Sequence, residues 1–315
     1  MTERQHRCKV GGGGAGRTVR PRYRGRLMGR HHVRWCFHTT AMVVDYERTR
    51  DALAWLVDLR VLEDHVVEDP AIGRRGGMAW IGDNSIELGE PAVAGGAVDR
   101  FVQRFGSHMS SIAVQVEDID ATVAHLESVG CRVASRIDEV IVFTDPRTTE
   151  GVVIEWYGGE APNDPRFGTA IPPCAVEPLL HVPQMAFGGA VVVDPLQSAT
   201  RLAELLSTEV TFRHPGAAPG SPVAGVSLGD MTLALYPLTD AATSVALWGH
   251  TYERAQTSSL GVRVPALAEA RDRLEAAGVP LVRHDSDVVV IHPGATGGVV
   301  VAVVDDLLPG DPRGA

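Results

Sequence analysis

The chain repeats itself, and no other feature constrains its fold as tightly. The stretch "GAVVVDPLQSATRLAELL" at residues 189–206 matches "AMVVDYERTRDALAWL" at 41–56, and "SLGDMTLALYP" at 227–237 matches "WIGDNSIELGEP" at 80–91. Further on, "SSLGVRVPALAEARDRLEAAGVPLV" from 258 matches "SSIAVQVEDIDATVAHLESVGCRV" from 110, with the offset held between 147 and 149 residues. Each half is itself double. "FHTTAMVVD" reads as a strand, "YERTRDALAWLVDL" as a helix, and "VLEDHVVED", "GGMAWIGD" and "NSIELGEP" as three more strands. The plan returns in "MSSIAVQVED", the helix "IDATVAHLESVG", "CRVASRID", "EVIVFTD" and "GVVIEWYG". Ile119, Val123, Leu126 and Val129 share one helical face, and Gly130 supplies the stop. The expected architecture is α+β, four βαβββ units in two paired domains.

The boundaries follow from composition along the chain. Residues 1–34 carry ten Lys and Arg against one acid, so the remainder of this −10 chain carries −19 and repels nucleic acid. The basic leader, 1–33, lacks an apolar core and reads as a disordered tail rather than a secretory signal. Met28 leaves open whether residues 1–27 belong to the native protein. A first domain spans 34–160, a Pro-rich linker 161–184, and a second domain 185–309. No apolar run reaches the ~20 residues of a membrane span. Four scattered cysteines, Cys8, Cys36, Cys131 and Cys174, without CxxC spacing, point to free thiols in the cytoplasm.

Within the strands, "VVIEWYGG" at 152–159 keeps Glu155 where its twin "VVVAVVDD" at 299–306 has Ala302. A bare buried carboxylate costs on the order of several kcal/mol, so the exchange points to a site in the first half and its absence in the second.

The repeat and these strings resemble the vicinal oxygen chelate superfamily, which includes glyoxalase I, extradiol dioxygenases, bleomycin-resistance proteins and methylmalonyl-CoA epimerase. The likeness covers roughly residues 35–307 and runs to the epimerase branch: "NSIELGEP" is similar to that branch's "IELLEP", "FVQRFGSHMSSIAVQVEDI" to "FLEKRGEGLHHIAYEVDDI", and "TEGVVIEW" to "TGGVLIEL". It implies a glyoxalase-like fold of half-open barrels. It further implies one divalent metal ion, Mn, Co, Ni, Fe or Zn, with ligands at His38, Glu87 and Glu155. The remaining ligand position falls on Ser111, where the family has histidine, and Ser259 is its twin. His108 replaces that histidine only if the backbone before Ser110 is looped, because an odd separation along a strand points side chains to opposite faces. His65, where epimerases place a glutamate, and Glu155 are the expected proton carriers.

The implied activity is isomerisation or epimerisation by proton abstraction next to a carbonyl, on a small molecule with vicinal oxygens or on an acyl-CoA thioester. The alternatives are a glyoxalase-type lyase, a ring-cleaving dioxygenase, or a metal-free protein that sequesters a small molecule. A homodimer is the partner arrangement the resemblance leaves open.

Overall fold

The computed structural model describes residues 32–67, 72–137, 139–159 and 164–314, apart from the side chains of residues 65 and 67. The basic leader, but for its last residues, falls outside this range. The first half runs β1 (Val33–Met42), α1 (Tyr46–Val57), β2 (Arg60–Val67), β3 (Arg74–Ile81), β4 (Asn84–Pro91), α2 (Ala97–Phe105), β5 (His108–Val116), α3 (Ile119–Ser128), β6 (Val133–Ile137), β7 (Ile141–Thr144) and β8 (Ile154–Tyr157). The second half runs β9 (Gln184–Val192), α4 (Pro195–Leu206), β10 (Val210–Arg213), β11 (Ala224–Ser227), β12 (Thr232–Pro237), α5 (Ala241–Trp248), β13 (Gln256–Arg263), α6 (Leu267–Ala276), β14 (Leu281–His284), β15 (Val289–Ile291) and β16 (Val301–Val304).

Each half forms one eight-stranded sheet, ordered β2-β3-β4-β1-β5-β8-β7-β6 and β10-β11-β12-β9-β13-β16-β15-β14. The two units of a half meet where their first strands pair antiparallel, β1 with β5 and β9 with β13. Four βαβββ units in two paired sheets are therefore the architecture, as the repeat implies. The structure adds α2 and α5, short helices between the units; α2 shows an i, i+3, i+4, i+7 apolar pattern at Val98, Phe101, Val102 and Phe105 that the βαβββ plan leaves out.

The helices start where strands end in aspartate. Asp45, Asp118 and Asp194 each cap a helix through the side chain, and each such cap stabilises by about 1 kcal/mol. In the fourth unit Ala266 stands at that position and α6 begins without a side-chain cap. No helix among the described residues is long and apolar enough to cross a membrane. Cys36, Cys131 and Cys174 are free thiols.

The halves are fastened by a reciprocal clasp. The Gly82-Asp83 turn between β3 and β4 lies against β9, and Asp83 Oδ1 accepts the N–H of Met185 at 2.9 Å. The equivalent Gly229-Asp230 turn lies against β1, and Asp230 Oδ1 accepts the N–H of Cys36 at 2.7 Å. Arg166 donates to the carbonyls of Cys36 and Phe37 at 2.7 and 2.6 Å, while Arg313 donates to those of Met185 and Ala186 at 2.7 and 3.0 Å. The Pro-rich connection is tied down rather than loose: Leu179 and Leu180 donate to the carbonyls of Trp55 and Leu56 at the end of α1, and Leu180 and Val182 are buried.

Candidate metal centre

Register puts the candidate residues on one concave surface. Directly paired positions in a ladder share a face, and β1 pairs His38 with Ser85 of β4 and Ala113 of β5, and Thr40 with Glu87 and Ser111. Ala113 in turn pairs with Glu155 of β8. His38, Glu87, Glu155 and Ser111, four residues up to 117 positions apart, thus converge, all buried.

His38 Nε2 lies 3.7 Å from Glu87 Oε2 and 3.6 Å from Glu155 Oε2. Those separations exceed hydrogen-bonding distance, and neither ring nitrogen of His38 has a hydrogen-bond partner among the described residues. Two buried imidazole nitrogens left unsatisfied need an explanation. A shared cation supplies one: ligands about 2.0–2.2 Å from a tetrahedral ion stand about 3.4 Å apart. The three donor atoms lie within 4.8 Å of one another, so the residues fit such an ion.

Glu155 is held at both ends. Its Oε1 accepts from the Ser111 hydroxyl and from Thr40 Oγ1, the latter at 3.2 Å, which leaves Oε2 facing His38. Burial by itself would raise this carboxyl; His38, the Ser111 hydroxyl and Arg74 outweigh it and hold the group below the ordinary carboxylate range. Arg74, from β3, places Nη1 2.7 Å from Glu87 Oε2. Phe37 packs beside His38 at 4.7 Å between ring centroids and stacks on Tyr157 at 4.6 Å, giving the centre an apolar wall.

Comparison with known proteins bears on the fold. Residues 37–142 match the Glyoxalase/Bleomycin resistance protein/Dioxygenase superfamily. No curated protein matches the chain by sequence. Among solved structures, methylmalonyl-CoA epimerase from Mycobacterium tuberculosis is 21% identical over 42% of this chain and 91% of its own, with a TM-score of 0.38. A Streptomyces coelicolor methylmalonyl-CoA epimerase in complex with 2-nitronate-propionyl-CoA is 24% identical over 41% of this chain and 99% of its own, also with a TM-score of 0.38. A mutant 4-hydroxymandelate synthase from Streptomyces coelicolor is similar over 87% of this chain and 93% of its own, at 12% identity and a TM-score of 0.58. That last likeness spans both halves and is one of fold.

The other candidates are placed differently. Ser111 is in the cluster, as a hydrogen-bond donor to Glu155. His108 is not. Its ring packs against His250 and Tyr252 at centroid distances of 4.8 and 5.5 Å, and its Nε2 is 3.0 Å from Gln256 Nε2. Ser111 pairs with Thr40 and His108 with Met42, with a shift of register between them, and the His108 ring lies against the second half rather than in the cluster. Burial pushes its imidazole down to about 4, with smaller contributions from Met109, His250 and Arg254. His65 pairs in register with Gly76 on β3; its side chain lies outside the described residues.

In the second half the same concave position is filled. Phe187, Ala234, Tyr236, Trp248, Tyr252 and Ala302 belong to a separate apolar core. Phe187, the counterpart of His38, faces Gly261, the counterpart of Ala113, and a Cβ on Gly261 would fall 2.5 Å from the Phe187 ring. A larger ring is matched by a smaller neighbour; Tyr236 lies 6.5 Å from Phe187 between ring centroids and meets Trp248 edge to face at 4.8 Å.

Sequence reasoning missed Arg74. It sits beside Arg75, which pairs outward with Glu47 and Glu90, and nothing in the spacing separates the two. Gly89, which clears the way for its stem, is the signal that was there to be read.

Proposed function

We propose that the chain is a metal-dependent isomerase or epimerase that abstracts a proton next to a carbonyl, with an acyl-CoA thioester as a candidate substrate. The observation that carries this reading is His38, buried with both ring nitrogens lacking hydrogen-bond partners among the described residues and facing two carboxylates at 3.6 and 3.7 Å. His38, Glu87 and Glu155 would hold one Mn, Co, Ni, Fe or Zn ion. When bound, the ion supplies Lewis-acid polarisation of a carbonyl oxygen.

The rest of the chemistry belongs to the chain. Glu155 keeps Oε2 toward His38 and offers Oε1 as the proton carrier: the substrate C–H bond breaks and an O–H bond forms at Oε1. A hydroxyl both donates and accepts, so Ser111 Oγ donates to the carboxylate and accepts from the carboxylic acid, and both protonation states stay hydrogen-bonded. Return of the proton to the same carbon completes the cycle. Inversion of that carbon requires a second carrier on the opposite side, and His65 on β2 is assigned that role. Phe37 and Tyr157 keep bulk water from the exchanging proton.

The test pairs elemental analysis of untagged protein with deuterium exchange at the α-carbon of candidate thioesters. Near-stoichiometric metal in the parent, its loss in Glu155→Ala, and exchange by the parent alone are expected. A parent chain that takes up none of the five metals overturns the reading and leaves a small-molecule-binding protein.

A further inference from the structure

The end of α2 and the start of β5 meet the loop between α5 and β13 at the seam of the two halves. His108 and Gln256 hold the same position in the repeat, 148 residues apart, and touch across that seam. The Met109 carbonyl can only accept, so His108 Nδ1 donates to it, and Nε2 accepts from Gln256 Nε2 at 3.0 Å. Neutral His108 is thereby satisfied on both nitrogens. Its ring is flanked by Phe101 and His250, at 6.3 and 4.8 Å between centroids.

Cations gather beside this contact without acids. The guanidiniums of Arg104, from the last turn of α2, and Arg254, from the loop before β13, both lie against Phe105, 5.0 and 4.5 Å from its centroid. Phe105 packs on Phe101 at 5.0 Å, so His250 borders the same patch. Among the described residues neither arginine has an ion-pair partner or a hydrogen-bond acceptor, and the ring nitrogens of half-buried His250 have no partner either. Glu253 next door is exposed and pairs with none of them. Burial first, and then the charge of Arg104, holds Arg254 below the ordinary guanidinium range. The repeat does not dictate this crowding, because the positions matching Arg104, Arg254 and His250 are Tyr252, Gly106 and Val102. Unpaired like charges in a body that carries −19 need a counter-charge from outside the chain.

The donors select its class. Two guanidiniums carry two positive charges, and a neutral imidazole adds one N–H. A planar carboxylate fills one arginine fork with a single charge, whereas a tetrahedral phosphate of nearly two negative charges presents oxygens in several directions.

We propose that Arg104, Arg254 and His250 form a binding site for a phosphate group at the seam between the halves. It uses none of the residues of the His38 cluster and does not depend on the metal reading. Arg104 belongs to the first half and Arg254 and His250 to the second, so a bound phosphate fastens one half to the other.

The test titrates inorganic phosphate, and glycerol 2-phosphate as an organic ester, into the full chain by calorimetry at constant chloride, after passage over a chelating resin. Parent, Arg104→Gln, Arg254→Gln and His250→Gln are compared with Arg136→Gln, which removes an equal charge from an exposed arginine paired with Asp120. Circular dichroism checks each fold. Saturable binding of one phosphate per chain is expected, weakened about tenfold or more by Arg104→Gln and by Arg254→Gln, less by His250→Gln, and not by Arg136→Gln. Phosphate should also raise the urea midpoint of the parent but not of Arg104→Gln. Tighter binding of the ester identifies an organic phosphate as the ligand and equal binding the free ion, and both support the site. A parent without saturable binding, folded Arg104→Gln and Arg254→Gln chains that bind as the parent does, or an equal loss in Arg136→Gln overturns the proposal.

Discussion

Asp83 and Asp230 occupy the same turn in the two repeats, and each reaches across to accept a backbone N–H from the first strand of the other half, at 2.9 and 2.7 Å. Each lies beside an arginine that grips two carbonyls of that strand, Arg313 for Asp83 and Arg166 for Asp230. Carboxylate, guanidinium and strand backbone thus satisfy one another at a half-buried joint. The joint is built twice, related by the duplication itself.

The turns tolerate no side chain. Gly82 and Gly229 have φ of +61° and +94°. A Cβ on Gly82 would fall 2.7–2.8 Å from the Gln184 backbone, and one on Gly229 2.5 Å from the Arg34 carbonyl oxygen. Gly82→Ala and Gly229→Ala should each destabilise by about 2–4 kcal/mol, from left-handed strain plus displaced backbone. Urea unfolding followed by tryptophan fluorescence checks this; midpoints equal to the parent's would show that the turns float free.

Two buried groups titrate over the same window with opposite signs. Burial, opposed by Arg166 and the Cys36 amide, raises Asp230 from 3.8 to about 6, so its favourable contribution is complete below 3.8 and is lost as pH rises through 6. His108 is depressed from 6.5 to about 4, so its contribution is complete above 6.5 and is lost as pH falls through 4. Each is worth on the order of 2–3 kcal/mol. Between pH 6.5 and 4, Asp230→Asn should lose stability on acidification relative to the parent, and His108→Phe should gain it. Thermal melts at half-unit pH intervals read the two slopes, and parallel curves for all three proteins would refute both assignments.

Ser111→Ala removes one of two hydroxyls on Glu155 Oε1 but neither carboxylate. The carboxyl should rise toward its ordinary range, and metal affinity at neutral pH should fall about tenfold, the equivalent of one charge-assisted hydrogen bond of about 1.5 kcal/mol. Competition against a fluorescent chelator measures it. Unchanged affinity would mean that the hydroxyl leaves the carboxylate's grip on the ion untouched.

The filled pocket of the second half should behave as core and nothing else. Phe187→Ala opens a cavity under Tyr236 and over Gly261 and should cost about 3–5 kcal/mol. Metal content should stay at the parent's level, since His38, Glu87 and Glu155 all belong to the other sheet. Loss of metal in a folded Phe187→Ala protein would show that the two pockets communicate.

Much of this was legible in the sequence because duplication writes the fold twice. The strands and four of the helices follow from hydrophobic periodicity and matched positions, whereas the grouping of His38, Glu87 and Glu155 came from the family resemblance. Arg74 was hidden, because a strand's alternation states which face a side chain takes but not how far a long one travels along it. The clasp was in plain view: Asp164-Pro165-Arg166 and Asp311-Pro312-Arg313 repeat at an offset of 147. It went unread because both motifs lie outside the strands that define the repeat, and only the folded chain brings them back to β1 and β9. His108 stood three residues from Ser111, and strand alternation could not place it, because the register shifts between the two and its ring packs with His250 and Tyr252 from the other half of the chain.

The exchange of His38 for Phe187 and of two glutamates for alanines leaves two sheets of one design with unequal self-sufficiency. One closes its pocket with its own aromatic rings. The other gathers an imidazole and two carboxylates on its concave face. Amide protons around Phe187 should therefore exchange slowly whatever the solution contains, while those around His38 should slow on addition of Mn2+ if the proposed centre binds it.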